Sequence, residues 1–324
     1  MNTQQLKQYI IKFQSIIALL LMCIVLSFLS DSFLSGENAW NVMRQISVNV
    51  IISVGMTLII LTGGIDLSVG SILALSGAVT ATLLKFGAEF VDMNLYIGFT
   101  LLGALVGGTL AGTVLGWFNG LTITRFKVPP FVATLAMLTI ARGLTMLLTG
   151  GFPITGLGNN MAFIGTGWFL GIPMPVWISA IIVLGAVVVT KKTTLGRHIY
   201  AIGGNETAAA LSGLKIKKVK MMVYAIAGAL AGIGGIIVTS RLDSAQPNAG
   251  FGFELDSIAA VVIGGTSLSG GKGTIMGTVQ GALIIGILNN GLVLLNVSPF
   301  WQQVIKGFVI LLAVVIEKFN SNEE

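Results

Sequence analysis

Charge is what this chain has least of. Of its 324 residues only 9% are Asp, Glu, Lys or Arg, while 54% are hydrophobic; soluble domains carry about a quarter charged residues. Acid is scarcest, 12 Asp and Glu against 18 Lys and Arg. There is one cysteine, Cys23, and one histidine, His198. A single cysteine excludes an internal disulfide, and in its apolar run Cys23 reads as a small core hydrophobe. A single histidine in a charged loop leaves no His/Cys/carboxylate set at metal spacing, no H-E-x-x-H and no Ser/His/Asp constellation. Neither a metal site nor a catalytic residue is expected, which disfavours a membrane enzyme. A phosphate-cradling loop is missing too. In GTSLSGGKGT (265–274) the first glycine of G-x-x-x-x-G-K-[ST] would fall on Thr266, and Gly273 follows Lys272. The chain therefore has no Walker A motif with which to hydrolyse ATP.

What replaces charge is a series of long apolar runs, with a mean hydropathy of +0.93. About 18 apolar residues can span a bilayer core. Ten spans fit, near 14–33, 41–62, 67–86, 94–118, 129–149, 174–190, 220–239, 256–266, 274–295 and 299–317. The eighth is short for a full crossing and reads as broken or re-entrant. The ten-residue alternation of a membrane β-barrel is absent. The expected fold is therefore an all-α polytopic membrane protein of about ten helices, a single domain over residues 1–324. Lys7 and Lys12 before Ile16–Leu29 resemble a signal peptide, but no small-x-small site follows, so a retained first helix is expected.

The loops set an orientation. With both termini cytoplasmic, the inner side collects Lys7, Lys12, Arg125, Lys127, Lys272, Lys318 and seven cations of residues 191–220. The outer side has Arg44, Lys85 and Arg241, together with the acids Asp31, Glu37, Glu89, Asp92, Asp243, Glu254 and Asp256. This is the positive-inside pattern, and it also explains the basic pI of 9.5 without nucleic-acid binding. Residues 191–220 thus form a cytoplasmic loop. Within it, NETAAALSG (205–213) predicts a short helix: Asn205 is a good N-cap, Glu206 suits the positive helix start, and Gly213 suits a left-handed stop. Such a helix either docks on a partner or anchors the loop at the interface.

TGGIDLSVGS (62–71) places a carboxylate among apolar spans. Asp66 is costly there unless satisfied, and capping a helix from Leu67 would satisfy it. A polar pathway lining and a structural cap are both compatible with this segment. GGIDLSVG (63–70) and GGTSLSGG (264–271) match at five positions, Gly63/Gly264, Gly64/Gly265, Leu67/Leu268, Ser68/Ser269 and Gly70/Gly271. Transporters are often built from such repeats. Gly103, Gly107, Gly108, Gly112 and Gly116 read as a close-packing face. Two cations fall within spans. Lys306 is placed to snorkel outward, whereas Arg142 needs a partner that the sequence does not name.

Four stretches together carry a resemblance: GMTLIILTGGIDLSVGSILAL (55–75), LGRHIYAIGGNETAAALSG (195–213), SAQPNAGFGFELDSIAAVVIGGTSLSGGKG (244–273) and LNNGLVLL (288–295). With them the chain resembles, from about Leu19 to Glu317, the membrane permeases of bacterial ribose ABC importers, within the ribose/xylose/galactose group. Pro299-Phe300-Trp301 departs from related chains. The resemblance implies a homodimer of permeases in the bacterial inner membrane, a twin-cassette cytoplasmic ATPase that uses ATP and Mg, and an extracytoplasmic ribose-binding protein that delivers a monosaccharide. No cofactor is implied in this chain itself. The resemblance carries an ATPase-coupling role onto Gly203, Gly204, Asn205, Glu206, Thr207, Ala208, Ala209 and Ala210, and a family signature onto Gly64, Asp66, Leu67, Ser68 and Gly70. Polar candidates for the translocation pathway are Asn49, Asp66, Ser68, Asn119, Asn289 and Asn290, with Gly64. An ion-coupled sugar carrier and a non-transporting scaffold are the competing classes; neither would combine a coupling helix with ATP-driven uptake.

Overall fold

The computed structural model describes residues 3–90 and 95–322. Asp92 and Asn94 lie outside the described residues. The chain is a helical bundle of α1 (Thr3–Leu29), α2 (Gly36–Leu61), α3 (Val69–Phe86), α4 (Leu101–Arg125), α5 (Pro130–Thr149), α6 (Asn159–Thr166), α7 (Met174–Lys192), α8 (Thr194–Gly204), α9 (Glu206–Leu211), α10 (Ile216–Arg241), α11 (Phe253–Ile263), α12 (Ile275–Leu294) and α13 (Pro299–Asn322). Among the described residues, seven of these are long and apolar enough to cross a membrane: α2, α3, α4, α5, α7, α10 and α12. The other three expected spans fall on α1, α11 and α13.

Short strands add to an otherwise helical fold. β1 (Ala88–Phe90) pairs with β2 (Leu95–Ile97), β3 (Ile154–Thr155) with β6 (Ser244–Ala245), and β4 (Trp168–Phe169) with β5 (Ile172–Pro173), all antiparallel. The first hairpin corrects the expected start of the fourth span. Residues 95–97 are strand, and α4 begins at Leu101, where the Thr100 hydroxyl accepts from the Gly103 N–H. Hydropathy cannot separate an apolar strand from the first turn of an apolar helix.

α2 is the axial helix, with 89% of its most apolar window buried. α4 and α10 form the tightest pair. A methyl on Gly112 would overlap the Gly228 carbonyl, one on Gly228 would overlap the Gly112 carbonyl, and Gly116 faces the Tyr224 carbonyl equally closely. Backbones this close exclude side chains from the seam, so packing rather than burial of large residues holds it. Gly64 meets Tyr224, Leu73 meets Gly235 and Gly77 meets Thr239. α3 and α10 therefore run parallel.

The eighth span has a physical explanation. After α10 ends, residues 242–252 form no helix, and Gly250 packs on the backbone of Gly70 at the start of α3. That contact lies several turns back along α10, within the bundle. α11 thus starts inside, and its 11 residues, about 16 Å at 1.5 Å each, complete the remaining distance.

Gly228→Ala is expected to lower the thermal midpoint of the detergent-purified protein, with an overpacking cost of about 1–3 kcal/mol. Gly143→Ala, where nothing lies within 4 Å of the added carbon, should leave the midpoint unchanged.

Candidate coupling and translocation site

Two helices occupy the 191–220 loop where the sequence predicts one. α8 is capped by the Thr193 hydroxyl, which accepts from the Gly196 N–H at 3.3 Å. It buries Ile199 and Ile202 beneath it. Asn205 then caps α9 as expected, its Oδ1 accepting from the Ala208 N–H at 2.9 Å. Gly213, at φ +82°, ends the turn.

The two helices are tied to the bundle through backbone. The C-terminal carbonyl of Leu61 on α2 accepts from the Gly271 N–H at 3.1 Å. Gly203 lies against the same carbonyl so closely that any side chain there would overlap it. Gly270 would meet Gly63 and Gly203, and Gly271 would meet Gly204. Three glycine-rich segments thus converge at one point: 62–64, 270–271 and 203–204. The Tyr200 hydroxyl adds a bond to the Gly273 carbonyl at 2.8 Å, and burial pushes this phenol above its ordinary range.

The two segments that echo each other in sequence are therefore neighbours in space. Their helices also end alike. Gly63 donates to Ile60 O and Gly64 to Ile59 O after α2; Gly265 donates to Val262 O and Thr266 to Val261 O after α11. Gly63 and Gly265 both have positive φ, +76° and +82°, the left-handed stop that glycine adopts freely. By helix geometry Gly63 corresponds to Gly265, one residue from the pairing that residue identity suggests.

α9 divides into two faces. Ala209 is only 5% exposed and packs inward, so within the expected coupling segment it is the residue turned away from a partner. Glu206 pairs with Lys220 at 2.7 Å. Thr207, Ala208 and Ala210 are exposed. Leu211, one residue past the expected segment, is 85% exposed. The signal for it was available in the sequence, since a leucine closing a solvated six-residue helix has little of its own chain to bury against.

Asp66, Ser68 and Asn119 come together. The Ser68 N–H and hydroxyl both donate to Asp66 Oδ1, at 2.8 and 2.5 Å. Asn119 on α4 donates to the Ser68 hydroxyl at 2.9 Å. Asp66 does not cap α3 from the position expected. Ser68 occupies the cap position, with no side-chain cap bond, and Asp66 instead closes a turn onto Ser68. Asp66 is 0% exposed, and its Oδ2 has no partner among the described residues. The Tyr224 hydroxyl fills the space that a Gly64 side chain would need and donates to the Ile65 carbonyl at 3.3 Å.

The remaining candidates lie apart from this cluster. Asn290 exchanges reciprocal hydrogen bonds with Asn38 at 3.1 and 2.8 Å, joining α12 to α2. Asn289 is buried with an unpartnered Oδ1, and Asn49 is buried on α2. No hydrogen bond links them to Asp66 among the described residues.

Both intramembrane cations have partners. Arg142 Nη1 donates to the carbonyls of Pro247 and Ala249, at 2.7 and 2.9 Å, and so holds the non-helical segment that returns into the bundle. Lys306 corrects the snorkelling expectation. It pairs with Asp256 Oδ2 on α11 at 3.1 Å, because α11 starts inside the bundle and presents its acidic first turn to α13.

Re-entrant backbone held by charge, broken helices and a solvated helix pair tied to their ends define a transport permease. The family model described as branched-chain amino acid transport system / permease component matches residues 38–314, and the chain belongs to this family. It is 47% identical to the ribose import permease protein RbsC of Haemophilus influenzae, over 99% of this chain and 97% of that one. It is 50% identical to the RbsC of Bacillus subtilis, over 94% and 92%, and 40% identical to the D-allose transport system permease protein AlsC of Escherichia coli, over 90% and 86%. No solved structure matches it.

Gly203→Ala should break the Leu61–Gly271 contact. Hydrogen exchange across 264–274 is expected to speed up, while Gly204→Ala, which meets nothing within 4 Å, leaves it unchanged.

Proposed function

We propose that this chain is the membrane permease subunit of an ATP-binding cassette importer that carries ribose into the bacterial cytoplasm. The observation that carries the reading is identity near one half, over almost the full length, to permeases named for ribose import. The absence of a Walker A motif agrees with a motor on a separate polypeptide. In this reading two copies of the chain form the pore in the inner membrane, with both termini in the cytoplasm. A twin-cassette ATPase consumes ATP and Mg, and a ribose-binding protein docks at the outer face.

The coupling element is Gly203–Ala210 extended to Leu211. Its exposed face, Thr207, Ala208, Ala210 and Leu211, meets the ATPase. Its buried side transmits displacement to the Leu61 carbonyl and so to both broken connections. Alternating access then tilts α2 against α11 and α12. Asp66, Ser68 and Asn119 form the polar hinge at the inner end of the pathway, with Gly64 giving Tyr224 its place. Asn49, Asn289 and Asn290 offer sugar-compatible hydrogen-bonding groups along α2 and α12, where one pathway wall would lie.

The test is ribose uptake into liposomes that hold the chain with its ATPase and binding protein. Uptake should require ATP. Leu211→Asp should reduce it at least about tenfold, as loss of a buried docking anchor does, with the thermal midpoint unchanged. Uptake driven by an ion gradient without the ATPase, or full uptake by Leu211→Asp, would overturn the reading.

A further inference from the structure

The α8–α10 corner holds a cleft that nothing in the transport reading uses. It has a volume of about 390 Å³ and lies between α8, the turn after α9 and the first two turns of α10. Leu195, Leu214, Val219 and Met222 make its lining largely apolar, and His198, Lys215 and Lys218 add nitrogen-bearing side chains. No acid lines it. The nearest acid on these elements, Glu206, is engaged by Lys220, and among the described residues no carboxylate pairs with Lys215 or Lys218.

We infer that this cleft binds an anionic glycerophospholipid of the adjoining leaflet, with its phosphate against Lys215, Lys218 and His198 and the start of an acyl chain along Leu214, Val219 and Met222. Three observations favour this occupant over a soluble anion. The cleft sits where α10 passes from IKKVK into its apolar run, which is the level of a lipid headgroup. Its lining is mainly apolar, which a small hydrated anion does not match. Lys191, Lys192, Arg197 and Lys217 each lie within three residues of its lining along the chain, a run of cations of the kind that collects acidic lipid beside a membrane helix. α8 completes the geometry as an amphipathic helix whose apolar residues Ile199 and Ile202 are buried. Occupancy would brace α8, and through Gly203 it would stabilise the contact with the Leu61 carbonyl.

The probe is dioctanoyl phosphatidylglycerol, titrated into the detergent-purified full chain and read by native mass spectrometry. Dioctanoyl phosphatidylcholine and inorganic phosphate serve as comparators. Phosphatidylglycerol should bind at least about tenfold more tightly than phosphatidylcholine, and Lys215→Gln with Lys218→Gln should remove most of that preference. Leu214→Trp, which adds bulk to the apolar lining, should weaken both lipids while the thermal midpoint without lipid holds. Equal binding of the two lipids, or displacement of phosphatidylglycerol by millimolar inorganic phosphate, overturns the inference. So does loss of the bound lipid when the chain is assembled with its ATPase, because the cleft would then belong to that protein interface.

Discussion

The Leu61 carbonyl is the point on which the structure turns. A helix leaves its last carbonyls without intrahelical partners, and at the end of the axial helix that vacancy is filled by the Gly271 N–H. Gly203 closes over the same oxygen with no side chain between. One backbone group thus joins α2, the connection to α12 and the α8–α9 pair. Contacts made by backbone are stiff, since there is no rotamer to absorb a displacement. In the proposed coupling, a push on α9 would be delivered to the two places where spanning helices are interrupted.

Ionisable groups, scarce in this chain, are placed where the backbone is irregular. An intramembrane charge is costly and needs a partner in the protein. Arg142 satisfies itself on two carbonyls of residues 242–252, and in doing so supplies donors to a segment that no helix satisfies. Lys306 and Asp256 tie α13 to the start of α11. Asp66 organises the break after α2 through Ser68 and Asn119. Each of these four ionisable groups fixes non-helical chain or a helix end within the bundle, so irregular backbone survives away from lipid.

The apolar runs made most of the helices legible, because a spanning helix announces itself by length and composition alone. The cap at Asn205 and the stop at Gly213 were equally readable, since capping is local chemistry. Less readable were features set by what a residue meets. Hydropathy merged the Leu95–Ile97 strand with the following helix. It also missed α8, whose polar face hides its apolar stripe, and it could not show that residues 242–252 return into the bundle. The partners of Arg142 and Lys306 lie more than 45 residues away and follow only from that return. Asp66, Ser68 and Asn119 were each legible as costly polar residues, but their convergence depends on how α4 packs against the start of α3.

Coupling through the Leu61 carbonyl requires that α9 and the 264–274 connection move as one body. The chain's single cysteine makes this measurable. In a Cys23→Ser background, spin labels at Thr207→Cys and Ser269→Cys, both exposed positions, report the distance between them in the assembled importer with ATP and with ADP. Rigid coupling predicts distributions that agree within about 2 Å across the cycle. A shift of about 5 Å, the scale of one element slipping a helical turn past another, would contradict it.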